Sequence, residues 1–564
     1  MKRRPRARAR GSGAPRAVIE DDRTLTIPLR HRAKRAVIAL LAICVLLGDV
    51  SNRAFAQHAE GALPHDFDEP IKLYKVGLGT FTRPISSKNP EAQAYFNQGY
   101  QLTYAFARAE AGRSFREAQK RDPDCAICYW GEAWVWGPYI SEGRKPEHET
   151  RAYAAIQKGR TLAGAHADAK EKALIAAMVT RYTGRFEGER HVAADRGYAQ
   201  AMARVAEAYP DDLDVATLYA EALFLLLPRP GAFDIADPNV ARVLKVLESA
   251  LTRDVRHPGA CHLYVHTTEL TSEPQRAERC VEYLGNAVPG ASHLNHMPAH
   301  TWTRVGRWGD AVRASLHAWQ SDQKAAKGEG FLTYPAHDLQ MLVYAASFDG
   351  QSAPAISAAR GIAKLTGDPM YLALALVRFG KFNDLAAMGD RPKPDIPAGT
   401  WDFAHGYAAL RAGNTQIARE RLARMSSTIK TSTAVFKFHT AKVLLGTLAA
   451  ILEGEILRTA GDMKGAIVAF ERAVALDDSI VIDDPEPLPF PARHWLGAAL
   501  LDAKRLADAE RVYREDLKRH PHNGWALVGL QHALEQQGKS SPEVDADLRT
   551  SWARADTPIK ASRF

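Results

Sequence analysis

Net charge is what this chain lacks once its first 56 residues are set aside. Of 74 Lys and Arg and 65 Asp and Glu, 13 and 4 fall in residues 1–56, which leaves 61 of each in the remainder. A neutral body has no excess of the clustered cations that neutralise phosphates, so nucleic acid is excluded as the expected partner. Cysteine is scarce as well, at five in 564 residues. HExxH, GxSxG and Walker sequences are missing, which removes the common hydrolase and nucleotide signatures. No window alternates polar and apolar residues between Gly/Asn turns, which excludes a β-domain. The apolar run 36–48 falls short of the about 20 residues that a membrane span requires.

That run has another meaning. Arg30, Arg32, Lys34 and Arg35 precede it, and Ala54-Phe55-Ala56 follows with a small-x-small pattern. Basic, short apolar, small: this is the anatomy of a secretory signal peptide with a basic N-terminal extension, 1–56. The mature chain is expected to start at Gln57 and to be periplasmic or secreted, without membrane contact beyond the signal segment. An uncleaved N-terminal anchor is the alternative. Setting aside Cys44 inside the apolar run leaves Cys125, Cys128, Cys261 and Cys280. An even number in an exported chain favours disulfides over thiol catalysis. Cys125 and Cys128 form a CxxC without a thioredoxin-like context, so a structural bridge is preferred to a redox pair. Cys261 and Cys280 fall opposite each other on two antiparallel helices of one repeat and are expected to be bonded.

What the sequence does have is an internal repeat of 34 residues. In residues 95–123, Gly99, Ala111, Phe115, Ala118 and Pro123 hold a fixed phase. Small residues let two antiparallel helices approach, Phe115 fills the groove between them, and Pro123 ends the second helix. Val243, Ala277 and Ala311 repeat that phase at 34-residue steps. Gly454, Gly461, Ala466 and Phe470 mark a further copy, and Gly497, Ala509, Tyr513 and Pro521 another. Residues 167–184 and 191–210 read as amphipathic helices without strict repeat residues. Residues 228–238, 324–335 and the Pro-rich acidic 480–491 interrupt the pattern. This phase resembles the tetratricopeptide repeat over about 89–140 and 212–535. The resemblance implies an all-α fold, a right-handed α-solenoid of tetratricopeptide-like helix hairpins. Its parts are a 57–88 linker, repeats at 89–210, 211–350 and 351–540, and a 541–564 tail. The strings HPGACHLYVH (257–266) and HLNHMPAHTWTRVGRW (293–308) further resemble a subgroup of exported bacterial repeat proteins with no well-defined activity, so no catalytic residue carries over.

Six histidines share one stripe of that repeat. His262 and His266 recur 34 residues on as His296 and His300; His293 precedes the second pair by three, and His337 opens the next copy. Positions i, i+3, i+4 and i+7 share a helix face. In tetratricopeptide repeats these slots line the concave groove. Imidazole is the commonest side-chain ligand for Zn, Cu and Fe. The expectation is one metal held by His262, His266, His296 and His300, with His293, His337 and Glu269 as additional or outer ligands. His494 falls in the matching slot of a later repeat, near Glu486, and is a candidate for the same cavity.

Three functions compete. One is a scaffold whose groove binds a protein, peptide or small molecule through the histidine metal site. Another makes the metal catalytic, with Glu269 as general base. The third is a metal-free adaptor, whose groove should present Lys, Arg, Asn and aromatics instead of histidines.

Overall fold

Close approach decides which helices pair. A side chain at Gly131 would meet the Phe115 ring at 2.5 Å, so the two helices and the ring lock together only with hydrogen at that position. The structure, a computed structural model, describes residues 69–140, 143–228, 231–331, 333–481 and 483–564. The signal segment expected at residues 1–56 lies outside the described residues. Antiparallel helices follow one another almost throughout. The N-terminal part holds α1 (Pro90–Tyr104), α2 (Arg108–Arg121), α3 (Ala126–Trp136), α4 (Pro146–His166), α5 (Ala169–Val179) and α6 (Val192–Ala208). The central part holds α7 (Leu213–Phe224), α8 (Pro238–Arg253), α9 (Pro258–Thr268), α10 (Glu278–Leu284), α11 (Ser292–Arg304), α12 (Trp308–Ala325), α13 (Pro335–Phe348) and α14 (Ser352–Thr366). Then come α15 (Met370–Arg378), α16 (Phe382–Leu385), α17 (Asp395–Arg411), α18 (Thr415–Thr431), a hairpin of β1 (Val435–Phe436) and β2 (His439–Thr440), α19 (Ala441–Thr459) and α20 (Met463–Asp477). The chain ends with α21 (Arg493–Asp502), α22 (Leu506–Arg519), α23 (Gly524–Gln536) and α24 (Pro542–Ser551). Each helix packs on its chain neighbour, and the first helices of successive pairs, α9, α11, α13 and α15, also touch one another. This is an all-α solenoid of tetratricopeptide-like hairpins. Among the described residues no helix is long and apolar enough to cross a membrane.

Both disulfides are formed, Cys125–Cys128 and Cys261–Cys280. The second ties α9 to α10. Among the described residues, the three interruptions read from sequence contain no α-helix between Phe224 and Pro238, Ala325 and Pro335, or Asp477 and Arg493.

Two features depart from a simple open solenoid. Residues 69–88, read as linker, run as a strap across the molecule. Gln98 and Gln101 bond its backbone at Tyr74 and Gly79, and Gly290 N–H donates to Gly77 O at 2.8 Å. The C-terminal pairs also fold back onto the central ones. Trp308 Nε1 donates to Pro521 O and Trp525 Nε1 to Ser347 O, at 2.8 and 2.9 Å. The 541–564 tail takes part in this: Arg554 chelates Asp349, and the Phe564 ring lies 5.9 Å from Trp525.

The closure contains a buried ionic network. His520 lies between Asp516 and Glu486, at 2.9 and 3.3 Å. Burial alone would lower its pKa, but Glu486 and Asp516 outweigh burial and raise it to about 9. A raised histidine contributes stability that is complete below its ordinary 6.5 and lost as pH climbs to about 9. His520→Gln should therefore lower Tm most at pH 6 and below, and the gap to wild type should close as pH rises from about 6.5 to 9. Thermal melts across that range check this; a gap that widens with pH contradicts it.

Candidate metal centre

The stripe is built where α9, α11 and α13 lie side by side against the end of α1. His257 caps α9, its Nδ1 accepting from Ala260 N–H, and Pro258 occupies the first turn, where its missing N–H costs nothing. A Cβ at Gly259 would meet the Tyr104 ring at 2.2 Å, so glycine lets the end of α1 settle on α9. That approach brings the Tyr104 carbonyl to His262. Pro298 interrupts the hydrogen-bond ladder of α11 between His296 and His300.

All six histidines meet in one interior region. The four-imidazole set expected from sequence is not how they group. His262, His266 and His293 form one set and His296, His300 and His337 another, while a third group, His266, Glu269 and His300, joins the two. The reason is stagger. His262 faces His293, and Glu269 faces His300, each 31 residues on, so the contacts are one helical turn short of the 34-residue repeat. His293 and His337, which sequence placed at the margin, are full members of the sets. The sets adjoin: the His293 and His296 rings are 4.8 Å apart, and those of His266 and His300 are 5.4 Å apart.

Four of the rings, those of His262, His266, His296 and His300, meet a partner on Nδ1. His262 Nδ1–H donates to Tyr104 O at 2.6 Å. Glu269 accepts from His266 Nδ1 at 2.8 Å and from His300 Nδ1 at 2.5 Å, one oxygen to each set. Asp338 lies against His296 Nδ1, and Asp484 against His300 Nδ1. With Nδ1 engaged, the Nε2 atoms point inward. His266 and His293 bring theirs to 3.1 and 2.9 Å from His262 Nε2. Nε2 of His296 and of His300 have no hydrogen-bond partner among the described residues.

This arrangement has a protonation problem. A carbonyl only accepts, so His262 carries its proton on Nδ1 and a single lone pair on Nε2. Two further ring nitrogens face that lone pair, and no placement of protons gives both contacts a linear hydrogen bond. Extra protons are opposed too. Burial, then the neighbouring imidazoles, pushes His262 and His293 well below their ordinary pKa. Burial holds His296 at about 3 and His300 at about 4. Around these neutral rings stand buried acids. Burial alone would raise Glu269, yet the His300 and His266 imidazoles bring it well below its ordinary value. Behind His296, burial lifts both Asp338 and Asp322 above the usual carboxylate range, Asp322 further because the Asp338 charge stands beside it, so that pair holds a proton. A cation between the Nε2 atoms would resolve both the facing lone pairs and the excess of carboxylate. Nitrogens near 3 Å apart are roughly what an ion with N ligands at ~2.1 Å gathers.

Several contributors were missed from sequence. Asp338 directly follows His337, and Asp484 sits in the acidic 480–491 segment, so composition gave a hint for both. The sequence puts Phe106 in an aromatic cluster with Tyr100, Tyr104, Trp130, Trp134 and Trp136 near the N-terminal repeats, without an address in this site; it adopts a left-handed backbone, φ 58°, and lays its ring 4.3 Å from His262 and 4.8 Å from His293. His494 does not join the site. It bonds Arg378 at 3.0 Å and Asp516 at 3.0 Å inside the closure network, with Glu486 on His520.

No family model matches the sequence, and no curated protein matches it. Among solved structures the chain is similar to the Cut9–Hcn1 hetero-tetramer of the APC/C, at 14% identity over 84% of this chain and 75% of that one, TM-score 0.28. It is similar to human IFIT1, in a dimer with m7Gppp-AAAA, at 12% identity over 84% and 92%, TM-score 0.30. Yeast Tom70 is similar at 11% identity over 82% and 100%, TM-score 0.29. Scores this low carry no argument, and the class of the protein, a tetratricopeptide-like helical scaffold, rests on its own helix pairs.

Proposed function

We propose that this solenoid is a housing for a two-ion, all-histidine metal centre, with His262, His266 and His293 holding one ion and His296, His300 and His337 the other. The observation that carries the reading is the single lone pair of His262 faced by two further Nε2 atoms. Glu269, Asp338 and Asp484 act on Nδ1 and aim the ligands, as carboxylates behind metal-bound imidazoles do. Imidazole sets without thiolate suit copper first and zinc second; iron of the facial-triad kind would take an oxygen ligand beside two histidines. Burial weighs against the adaptor reading, since His262, His293, His296 and His300 are at most 4% exposed and offer no surface to a docked peptide. A catalytic role is the second reading, and it is favoured by a cavity that reaches His337. Export belongs to the same proposal: a periplasmic or secreted chain keeps both disulfides oxidised.

Elemental analysis of the purified protein, as isolated and after exposure to copper, zinc and iron salts, tests this. Two ions per chain are expected, none in the double variant His266→Ala/His300→Ala, and a Tm raised by metal in wild type only. A wild-type chain that takes up no stoichiometric metal and melts alike with and without it overturns the reading.

A further inference from the structure

The two histidine sets differ in what lies beside them. Phe106 closes the His262–His266–His293 set. Its ring is almost parallel to His293, at 19°, and to His266, at 7°. A left-handed backbone is disfavoured at a non-glycine residue, so the fold holds this ring in place against a local preference. Tyr139 and Tyr334 join hydroxyls at 2.7 Å, linking the segment after α3 to the segment before α13. The Tyr139 ring in turn packs edge-on against Phe106. The cavity on this side has about 50 Å³, room for a water or two and no organic molecule.

His337 has the opposite surroundings. It lines a chamber of about 380 Å³ between α13, the ends of α14 and α15, the segment before α17, and β1. That volume lies within the range of small-molecule sites. Its walls are largely apolar: the Tyr371 and Phe436 rings pack edge-on, 6.2 Å apart at 65°, and Pro392, Pro394, Pro397 and Ile396 line the chamber with them. The charged groups on the walls are accounted for. Lys437 is held by Asp483 at 3.0 Å and by the Asp484 carbonyl at 3.3 Å, so it is not offered to an anion. Asp368 accepts from Met370 N–H, and Asp395 is exposed at the rim. One polar corner remains. Gln340 donates its amide to the Tyr371 hydroxyl at 2.5 Å, which leaves the Tyr371 O–H to donate to something else. Burial keeps that phenol protonated.

We propose that this chamber is the ligand pocket of the centre, opening on the His296–His300–His337 set alone, and that it takes an uncharged aromatic molecule of the phenol class. The ring lies between Tyr371, Phe436 and the prolines, and its oxygen accepts from Tyr371 on the side of His337. The inference rests on the metal reading for what the pocket serves, but the pocket itself is formed by protein alone. The Phe106 side is a closed position.

4-Methylphenol is the probe, titrated by calorimetry into metal-free and metal-loaded full-length protein, with benzoate as the anionic counterpart. Both forms of wild type should bind 4-methylphenol, the loaded form more tightly, and neither should bind benzoate as well. Ala434→Trp, which fills the chamber from its wall, should weaken binding at least about tenfold while both ions stay bound. Tyr371→Phe, which keeps the ring and removes the donor, should weaken it by about three- to tenfold and covers the case in which the bulky variant does not fold. Wild type that holds two ions and ignores 4-methylphenol overturns the pocket and spares the centre. Equal binding by wild type, Ala434→Trp and Tyr371→Phe overturns it as well. Binding by a chain that takes up no metal supports the pocket and overturns the centre.

Discussion

Replacing Glu269 with glutamine is expected to weaken both metal ions at once, by about 10- to 100-fold each. The carboxylate is one group with two clients. One oxygen accepts from His266 in the first set and the other from His300 in the second. Glutamine fits the space, but its amide has one acceptor and one donor, so whichever histidine meets the NH2 must turn or change tautomer. Each tenfold loss is about 1.4 kcal/mol, so the two sites together lose roughly 3–6 kcal/mol of binding. Asp338→Asn is the contrast, because Asp338 lies against one imidazole, that of His296, and should weaken one ion alone. Competition against a chromogenic chelator, read as two separate affinities per chain, distinguishes them. Glu269→Gln with one affinity intact would mean that Glu269 orients a single set and that the sets are not joined through it.

The parts of this molecule that could be read from sequence are those governed by local phase. Gly99, Ala111 and Phe115 mark a helix pair because packing two helices at close range needs small and large residues at fixed places. The same logic exposed the histidine stripe: residues 262, 266, 296 and 300 keep both a helix face and a repeat interval. What the interval could not supply is the stagger between neighbouring helices. A shift of one turn pairs His262 with His293 in place of His296, and so divides one expected four-nitrogen set into two sets of three. Phe106 could be read as one of an aromatic cluster, but its place against the histidines was out of reach for a different reason. Its position depends on a backbone conformation that its residue type disfavours, and only the surrounding fold imposes it. Asp484 reaches His300 because the last repeats return to the central ones, and no local pattern records a return of that kind. The tail shows the same limit. Nothing in residues 541–564 has repeat phase, yet Trp552 packs on Trp525, and Tyr407 donates its hydroxyl to Phe564 O at 2.6 Å.

That return depends most on Trp525, and Trp525→Ala is expected to destabilise the chain by about 3–5 kcal/mol. The side chain is fully buried where three parts of the chain meet. Its indole N–H donates to Ser347 O at the end of α13, the Arg378 guanidinium lies 3.8 Å from its ring, and Trp552 stands edge-on at 5.2 Å. Removing the indole leaves a cavity and, beside it, a buried cation without its ring face. Burial already pushes Arg378 well below its ordinary pKa, with Asp516 the acid that opposes this. Loss of the ring therefore exposes a group that is already poorly solvated. Trp525→Phe separates the contributions. It keeps most of the packing and the ring face and loses the bond to Ser347, for about 1 kcal/mol. Urea midpoints at constant m give both values. The damage should also be directional. Opening the return withdraws the segment that carries Asp484, so Trp525→Ala should loosen the ion held by His296, His300 and His337 more than the one held by His262, His266 and His293. A Trp525→Ala chain within about 1 kcal/mol of wild type, or one that loses both ions equally, would show that the central pairs hold the centre without the C-terminal return.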